Sequence, residues 1–245
     1  MQIQIFPDYE ALSKAAAAAI CAVVRQKPDA VLCLASGHTP EGTFRHLVKM
    51  VADGDPDFSQ CIFIGLDEWV GIEPTNPGSC YFFVNQNLFK PLGVPSQRIH
   101  FFNGLATDLA AECQRIDEVV ARHGGLDLIL VGVGLNGHIA MNEPGTAWNF
   151  YSHVIDLHET TITVGQKYFD QETVLTKGIT VGLRYVQEAK QAILLASGRK
   201  KASILGRAFE EPPTEQMPAS IFQQLPNGWV FLDEASASEL KAGSW

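Results

Sequence analysis

The chain has 245 residues, 46% of them hydrophobic and 18% charged, which is enough apolar material for a sizeable core. A formal net charge of −9 argues against a nucleic-acid surface or an anionic membrane as a partner, so a phosphorylated ligand would need locally placed cations. No apolar stretch approaches the roughly 20 residues needed to cross a bilayer, and the start MQIQIFPDYEALSK lacks a secretory pattern, so the expectation is a cytoplasmic protein.

Ile3 and Ile5 suggest a first strand, and Asp8 opens an alanine-rich amphipathic segment, DYEALSKAAAAAICAVVRQK, that reads as a helix. Pro28 and Asp29 break it. Ala30 to Ala35 is a buried strand ending in Ser36-Gly37-His38-Thr39-Pro40, before a helix from about Glu41 to Val51. Hydroxyls of Ser36, Thr39 and Thr43 and the N–H groups of a helix start suit a phosphate, although an ordinary N-cap turn gives the same pattern. The G-x-x-x-x-G-K-[ST] spacing of a nucleotide loop is absent.

Cys61 to Leu66 is a third strand that runs directly into Asp67-Glu68-Trp69. Adjacent side chains of an extended segment point opposite ways, so only one of the two acids can face a site; Asp67 is the one assigned to it. Residues 71 to 80, rich in proline and glycine, read as a loop over that site, followed by a helix over 81–89, a short strand over 98–102 and an amphipathic helix over 108–123. Cys21, Cys33, Cys61, Cys80 and Cys113 are odd in number and widely spaced, which reads as reduced buried thiols rather than a disulfide framework or metal cluster.

Gly125 to Pro144 concentrates the chemistry. Asp127 to Val133 is apolar without alternation, as in a strand buried on both faces, and Gly132, Gly134 and Gly137 punctuate its end. The glycines match G-x-G-x-x-G, but Pro144 and Gly145 interrupt the helix that a dinucleotide site requires. His138 and Glu143 fall at the carboxyl end of the strand, where open α/β sheets bind ligands. The segment after Glu143 is too irregular to place.

Lys177 to Val181 and Gln191 to Ala196 read as further strands, the second ending in Ser197-Gly198-Arg199-Lys200-Lys201 ahead of a helix over 202–209. Residues 218 to 225 look helical, Trp229 to Leu232 adds a strand, and a short terminal helix is expected after it. The alternation of strands and helices, without linker or repeat, indicates one α/β domain spanning 1–245, a doubly wound, mostly parallel, Rossmann-like sheet flanked by helices.

With LDEW at 66–69 and GVGLNGHIAMNEPG at 132–145, the sequence resembles the glucosamine-6-phosphate deaminase family, which includes galactosamine-6-phosphate deaminase/isomerases and is related to 6-phosphogluconolactonases. The resemblance runs from the SGHTP turn through GITVG to the SGRKKA turn. It implies conversion of an amino-sugar 6-phosphate and water to a ketose 6-phosphate and ammonia, with no metal or organic cofactor. It implies His138 for ring opening, Glu143 for orienting it and Asp67 for moving a proton between C2 and C1. The phosphate would be held by the turn from Ser36, Gly37, His38 and Thr39 to Thr43 and by Lys201. Lys167 aligns loosely with a phosphate-contacting arginine of relatives, whose bidentate geometry a lysine cannot reproduce. Asn136 stands where well-studied relatives carry an aspartate, and an amide can orient an imidazole but not stabilise its charge as a carboxylate does.

The resemblance also implies a monomer or small homo-oligomer, because the C-terminal extension of the allosteric hexamers is missing, and a small-molecule sugar phosphate as sole partner. LDEWV with the loop PTNPGSC looks closer to galactosamine-type members, which keeps galactosamine 6-phosphate beside glucosamine 6-phosphate. A 6-phosphogluconolactonase and a non-catalytic sugar-phosphate sensor are the alternatives.

Overall fold

A computed structural model describes residues 1–241. Strand β1 (Gln2–Phe6) leads into α1 (Tyr9–Gln26), which Asp8 caps by accepting the Ala11 N–H at 2.8 Å. Strand β2 (Val31–Leu34), helix α2 (His38–Ala52), β3 (Ile62–Gly65) and β4 (Asp67–Trp69) follow. The helix expected over 81–89 is composite: α3 (Cys80–Val84) passes through a π-helical stretch (Asn85–Phe89) into α4 (Lys90–Leu92). After β5 (Ile99–His100), α5 (Leu109–Arg122) is capped by Asp108, which accepts the Ala111 N–H at 3.0 Å, and the chain returns through β6 (Leu128–Gly132).

Beyond β7 (His153–Asp156) and α6 (Glu159–Gly165) come β8 (Lys177–Thr180), α7 (Leu183–Glu188), β9 (Gln191–Ala196), α8 (Ala202–Glu210) and β10 (Gly228–Asp233). Seven strands form a parallel sheet in the order β1-β10-β9-β6-β2-β3-β5. Apart from β1 at one edge, chain order runs outward in both directions from the β2–β6 pair, which makes the carboxyl ends of those strands the switch point where such sheets leave a crevice. The interior strands are buried on both faces, and successive residues divide between two cores: Val31 and Cys33 face the side of α5, α7 and α8, whereas Leu32 and Leu34 face the side of α1 and α2. All five cysteines are free and buried, as their sequence settings suggested.

Several elements differ from the sequence reading. Asp67-Glu68-Trp69 and the 177–180 segment do not extend the main sheet but pair antiparallel with each other, and β7 completes a separate sheet in the order β4-β8-β7. The chain leaves one sheet for the other at Leu66, whose carbonyl accepts the Val181 N–H at 2.9 Å. Hydrophobic runs do not distinguish these destinations, because residues of β8 are buried like those of a central strand. Residues 218–224 form a 3₁₀ rather than an α-helix, opened by Pro218. Instead of a terminal helix, successive turns follow Asp233, and the rest of that expectation falls on residues 242–245, outside the described part.

Candidate active site

A cavity of about 220 Å³ opens at the carboxyl ends of β2 and β6. It brings together Asp67, His138, Lys201 and Lys167 with Ser36, Gly37, His38 and Thr39, residues spread over more than 160 positions of sequence. Glu143 and Asn136 stand behind His138 through hydrogen bonds rather than on the cavity wall. Thr43, expected among the phosphate donors, is fully buried within α2 and does not reach the cavity. Helix α2 begins at His38, three residues earlier than expected, so position 43 lies beyond the first turn on the face turned into the core.

The start of α2 is fixed from outside. The Tyr9 hydroxyl lies 2.9 Å from the His38 carbonyl, 3.0 Å from that of Thr39, and accepts the Gly42 N–H at 2.8 Å. The hydroxyl thereby bridges the His38 carbonyl and the Gly42 N–H, the pair that an α-helix otherwise bonds directly, while Ser36 to Pro40 line the cavity. Nothing in the pattern of the first helix marks Tyr9 for this, because its partner lies thirty residues away.

Asp67 and Glu68 divide as the extended geometry requires. Glu68 turns away and accepts the N–H groups of Trp69 (2.9 Å), Cys80 (3.0 Å) and Tyr81 (3.0 Å) and the Ser79 hydroxyl (2.7 Å), which ties down the loop that walls the cavity. Asp67 lines the cavity and is only 8% exposed. Burial pushes its carboxyl up to about 7, against the pull of the Cys80 thiol and with a push from Glu68. A carboxyl poised there can both accept and return a proton near neutral pH.

His138 owes its position to the turn after β6. The Gly134 N–H donates to the His138 carbonyl at 2.9 Å, and a Cβ at position 134 would run into the imidazole ring. Ala140 adopts a left-handed φ of 53°, and buried Asn142 donates to the carbonyls of Ile139 and Val181, both at 2.9 Å. The turn they clamp folds Glu143 back to the histidine five residues earlier. Gly134→Ala is expected to lower kcat/KM about a hundredfold while leaving the melting temperature within a few degrees, because the displaced ring loses its aim. Unchanged kinetics would show that the close approach does not matter.

Around His138, Nδ1 lies 3.1 Å from the Thr161 hydroxyl and 3.5 Å from Glu143 Oε2. Burial alone would raise the Glu143 carboxyl, but His138 beside it and hydrogen bonds from Thr161 and Asn136 outweigh that and hold it at about 2. Glu143 is therefore an anion throughout the neutral range. Asn136 acts on this carboxylate rather than on the ring: its Nδ2 donates to Glu143 Oε2 at 2.8 Å, and its Oδ1 accepts the His138 backbone N–H at 3.2 Å.

Asn136→Asp would set two carboxylates at that short separation, so one must hold a proton to higher pH than in the unfolded chain. Such a raised carboxyl destabilises the fold as pH rises. The melting-temperature deficit of the variant should therefore grow between pH 5 and pH 8, by the equivalent of roughly 1–3 kcal/mol. A deficit independent of pH would rule out the shared proton.

Lys201 follows the turn after β9, lines the cavity and donates from Nζ to the Val133 carbonyl at 2.6 Å. Desolvation and then the charge of Lys167 bring its ammonium down to about 8. Lys167 is exposed at the rim, where its Nζ sits 4.7 Å from the Tyr168 ring centre, and Tyr168 in turn lies 5.4 Å from the His38 ring. Thr161, Tyr168 and Trp69, which also line the cavity, were missed from sequence. Two of them belong to the unplaced segment after Glu143, and only the ETT following His158, a helix-capping pattern, could have signalled Thr161.

Residues 7–231 match the model of the family described as glucosamine-6-phosphate isomerases/6-phosphogluconolactonase. The chain belongs to this family. It is 43% identical over 221 residues to the glucosamine-6-phosphate deaminase of Lachnoclostridium phytofermentans, covering 90% of this chain and 94% of that one. With that of Halothermothrix orenii it shares 38% over 241 residues, covering 98% of this chain and all of the other. Among solved structures, a monomeric glucosamine-6-phosphate deaminase superposes with a TM-score of 0.94 at 35% identity, over 98% of this chain and 100% of that one. The 6-phosphogluconolactonase of Trypanosoma brucei, at 19% identity and a TM-score of 0.77 over 98% of each chain, shares the fold. No helix among the described residues is long and apolar enough to cross a membrane.

Proposed function

We propose that this chain converts glucosamine 6-phosphate and water to fructose 6-phosphate and ammonia, acting as one cytoplasmic domain without need of a larger assembly. What carries the reading is one cavity with a buried carboxyl near pKa 7, a histidine backed by an anion, and two lysines beside a helix start. Helix start and lysines suit a dianionic phosphate. With Nδ1 of His138 turned to Thr161 and Glu143, Nε2 is the nitrogen that meets the sugar. It carries a proton to the ring oxygen as the C1–O5 bond opens, and Glu143 stabilises the charged imidazolium when it holds one.

In the open aldose, Asp67 takes the proton from C2, giving an enolamine, and returns it to C1. The amine-bearing C2 is then an iminium, to which water adds and from which ammonia departs. The proton shuttle requires only one base that can reach both carbons. The relatives named above favour the glucosamine epimer, whereas Trp69 and the 71–80 loop leave galactosamine 6-phosphate to be compared.

Ammonia release from both epimers decides. Release from glucosamine 6-phosphate, at the higher kcat/KM of the two, is the expected result. Preference for galactosamine 6-phosphate would reassign the substrate, and release from neither would end the deaminase reading.

A further inference from the structure

Asp233 ends the last strand of the main sheet and is 5% exposed, yet it does not touch the cavity. Its carboxylate accepts the Ser197 hydroxyl, the Gly198 N–H at 3.0 and 3.1 Å through both oxygens, and the Ser236 N–H at 2.7 Å. Ser236 in turn donates from its hydroxyl to the Ala196 carbonyl at 3.0 Å, the last residue of β9. The turn that leaves β9 is thus bonded from behind at three consecutive residues, 196 to 198.

What that turn carries is Lys201. Gly198, at a φ of 85°, bends the chain, and its carbonyl accepts the Lys201 N–H at 3.0 Å, which closes the short 3₁₀ turn (Arg199–Lys201). From there the Lys201 ammonium reaches the Val133 carbonyl at the end of β6 and the cavity wall. A continuous path of hydrogen bonds therefore runs from Asp233 through Gly198 to the backbone of Lys201. A long lysine side chain finds an anion reproducibly only if its backbone is held, since its four-carbon stem supplies no rigidity of its own.

We propose that Asp233 is a positioning residue for anion binding, fixing the β9 turn so that Lys201 meets the phosphate of the substrate. The proposal rests on the deaminase reading only for the identity of the sugar; the anion itself can be tested alone. Asp233 lies outside the groups that exchange protons, so its loss acts on binding rather than on the chemical step.

The test measures the Kd of inorganic phosphate by calorimetry, the kinetics of ammonia release and the melting temperature for three variants. Asp233→Ala should raise both the phosphate Kd and the KM for the sugar phosphate roughly tenfold or more, with kcat within about threefold of the parent. Asp233→Asn should restore most of both, because its amide oxygen still accepts from the backbone at 198 and 236 while the Ser197 hydroxyl rotates to accept from the amide. Ser197→Ala, which leaves the strand end intact, should weaken phosphate in the same direction by about threefold.

A fall in melting temperature with phosphate Kd and KM unchanged would overturn the proposal, as would a kcat loss equal to the loss in kcat/KM. A parent that binds phosphate but releases no ammonia would remove the deaminase reading while the phosphate arm still decides this one. A parent that binds no phosphate would remove both.

Discussion

Asp67→Asn is expected to release ammonia 10²–10⁴-fold more slowly than the parent, the range that a positioned general base supplies, while binding inorganic phosphate with unchanged affinity. The amide is nearly isosteric and preserves the antiparallel pairing of residue 67 with Thr180, so lost rate reflects lost proton transfer. The parent's own pH profile carries the same information. Asp67 must be ionised to take a proton, and its value near 7 places an acid limb in kcat/KM, with activity falling tenfold per pH unit below it.

Stability should move the other way. A carboxyl whose folded value is raised above its unfolded one weakens the fold as pH rises from about 4 through 7, so at pH 8 the asparagine variant should be the more stable protein, by roughly 2–4 kcal/mol. Slow turnover together with a higher melting temperature at pH 8 and a vanishing difference at pH 4 is the combined signature. Equal turnover in the variant would remove Asp67 from the reaction.

His138→Gln is expected to lower kcat 10²–10³-fold with the ring-closed sugar as substrate, because glutamine can hydrogen-bond to the ring oxygen but cannot exchange a proton with it near neutral pH. The environment sets the size of the effect. Glu143 lies 3.5 Å from Nδ1, so removing the imidazole takes away the main group that holds its carboxyl down and leaves it, buried, to Asn136, Thr161 and the His158 N–H at 3.1 Å. The loss should therefore come with a modest cost to stability as well. A substrate locked in the open-chain form should recover much of the rate, and failure to recover it would mean that His138 serves a later step.

The main sheet was legible because its interior strands are uninterrupted apolar runs with small or hydroxylic residues at their ends, and Gln191–Ala196 shows the same limits in sequence and structure. The split between Asp67 and Glu68 followed from strand geometry alone. The larger misreadings come from pairing between distant segments. The allocation of β4 and β8 to a second sheet depends on contacts between residues 67–69 and 178–180, and no local pattern encodes them. Thr43 failed for a smaller reason: with α2 starting at His38, a shift of three residues turned its hydroxyl from the cavity to the core. Tyr9 and Thr161 were invisible because their partners, Gly42 and His138, lie thirty-three and twenty-three residues away.

The passage of the chain from one sheet to the other at Leu66 bears on which sugars can react. Ser36 to Thr39 and Lys201, the proposed phosphate holders, stand on turns of the seven-stranded sheet, whereas Asp67 stands on a strand of the three-stranded one and Lys167 between two of its strands. The two jaws of a calliper are thus carried on separate arms, between which the chain passes at Leu66 and again after β4, β6 and β8. On the proposed reading a sugar is gauged by the span from its phosphate to the carbon that gives up its proton, and one carbon more or fewer is expected to dock its phosphate yet present the wrong atom to the base.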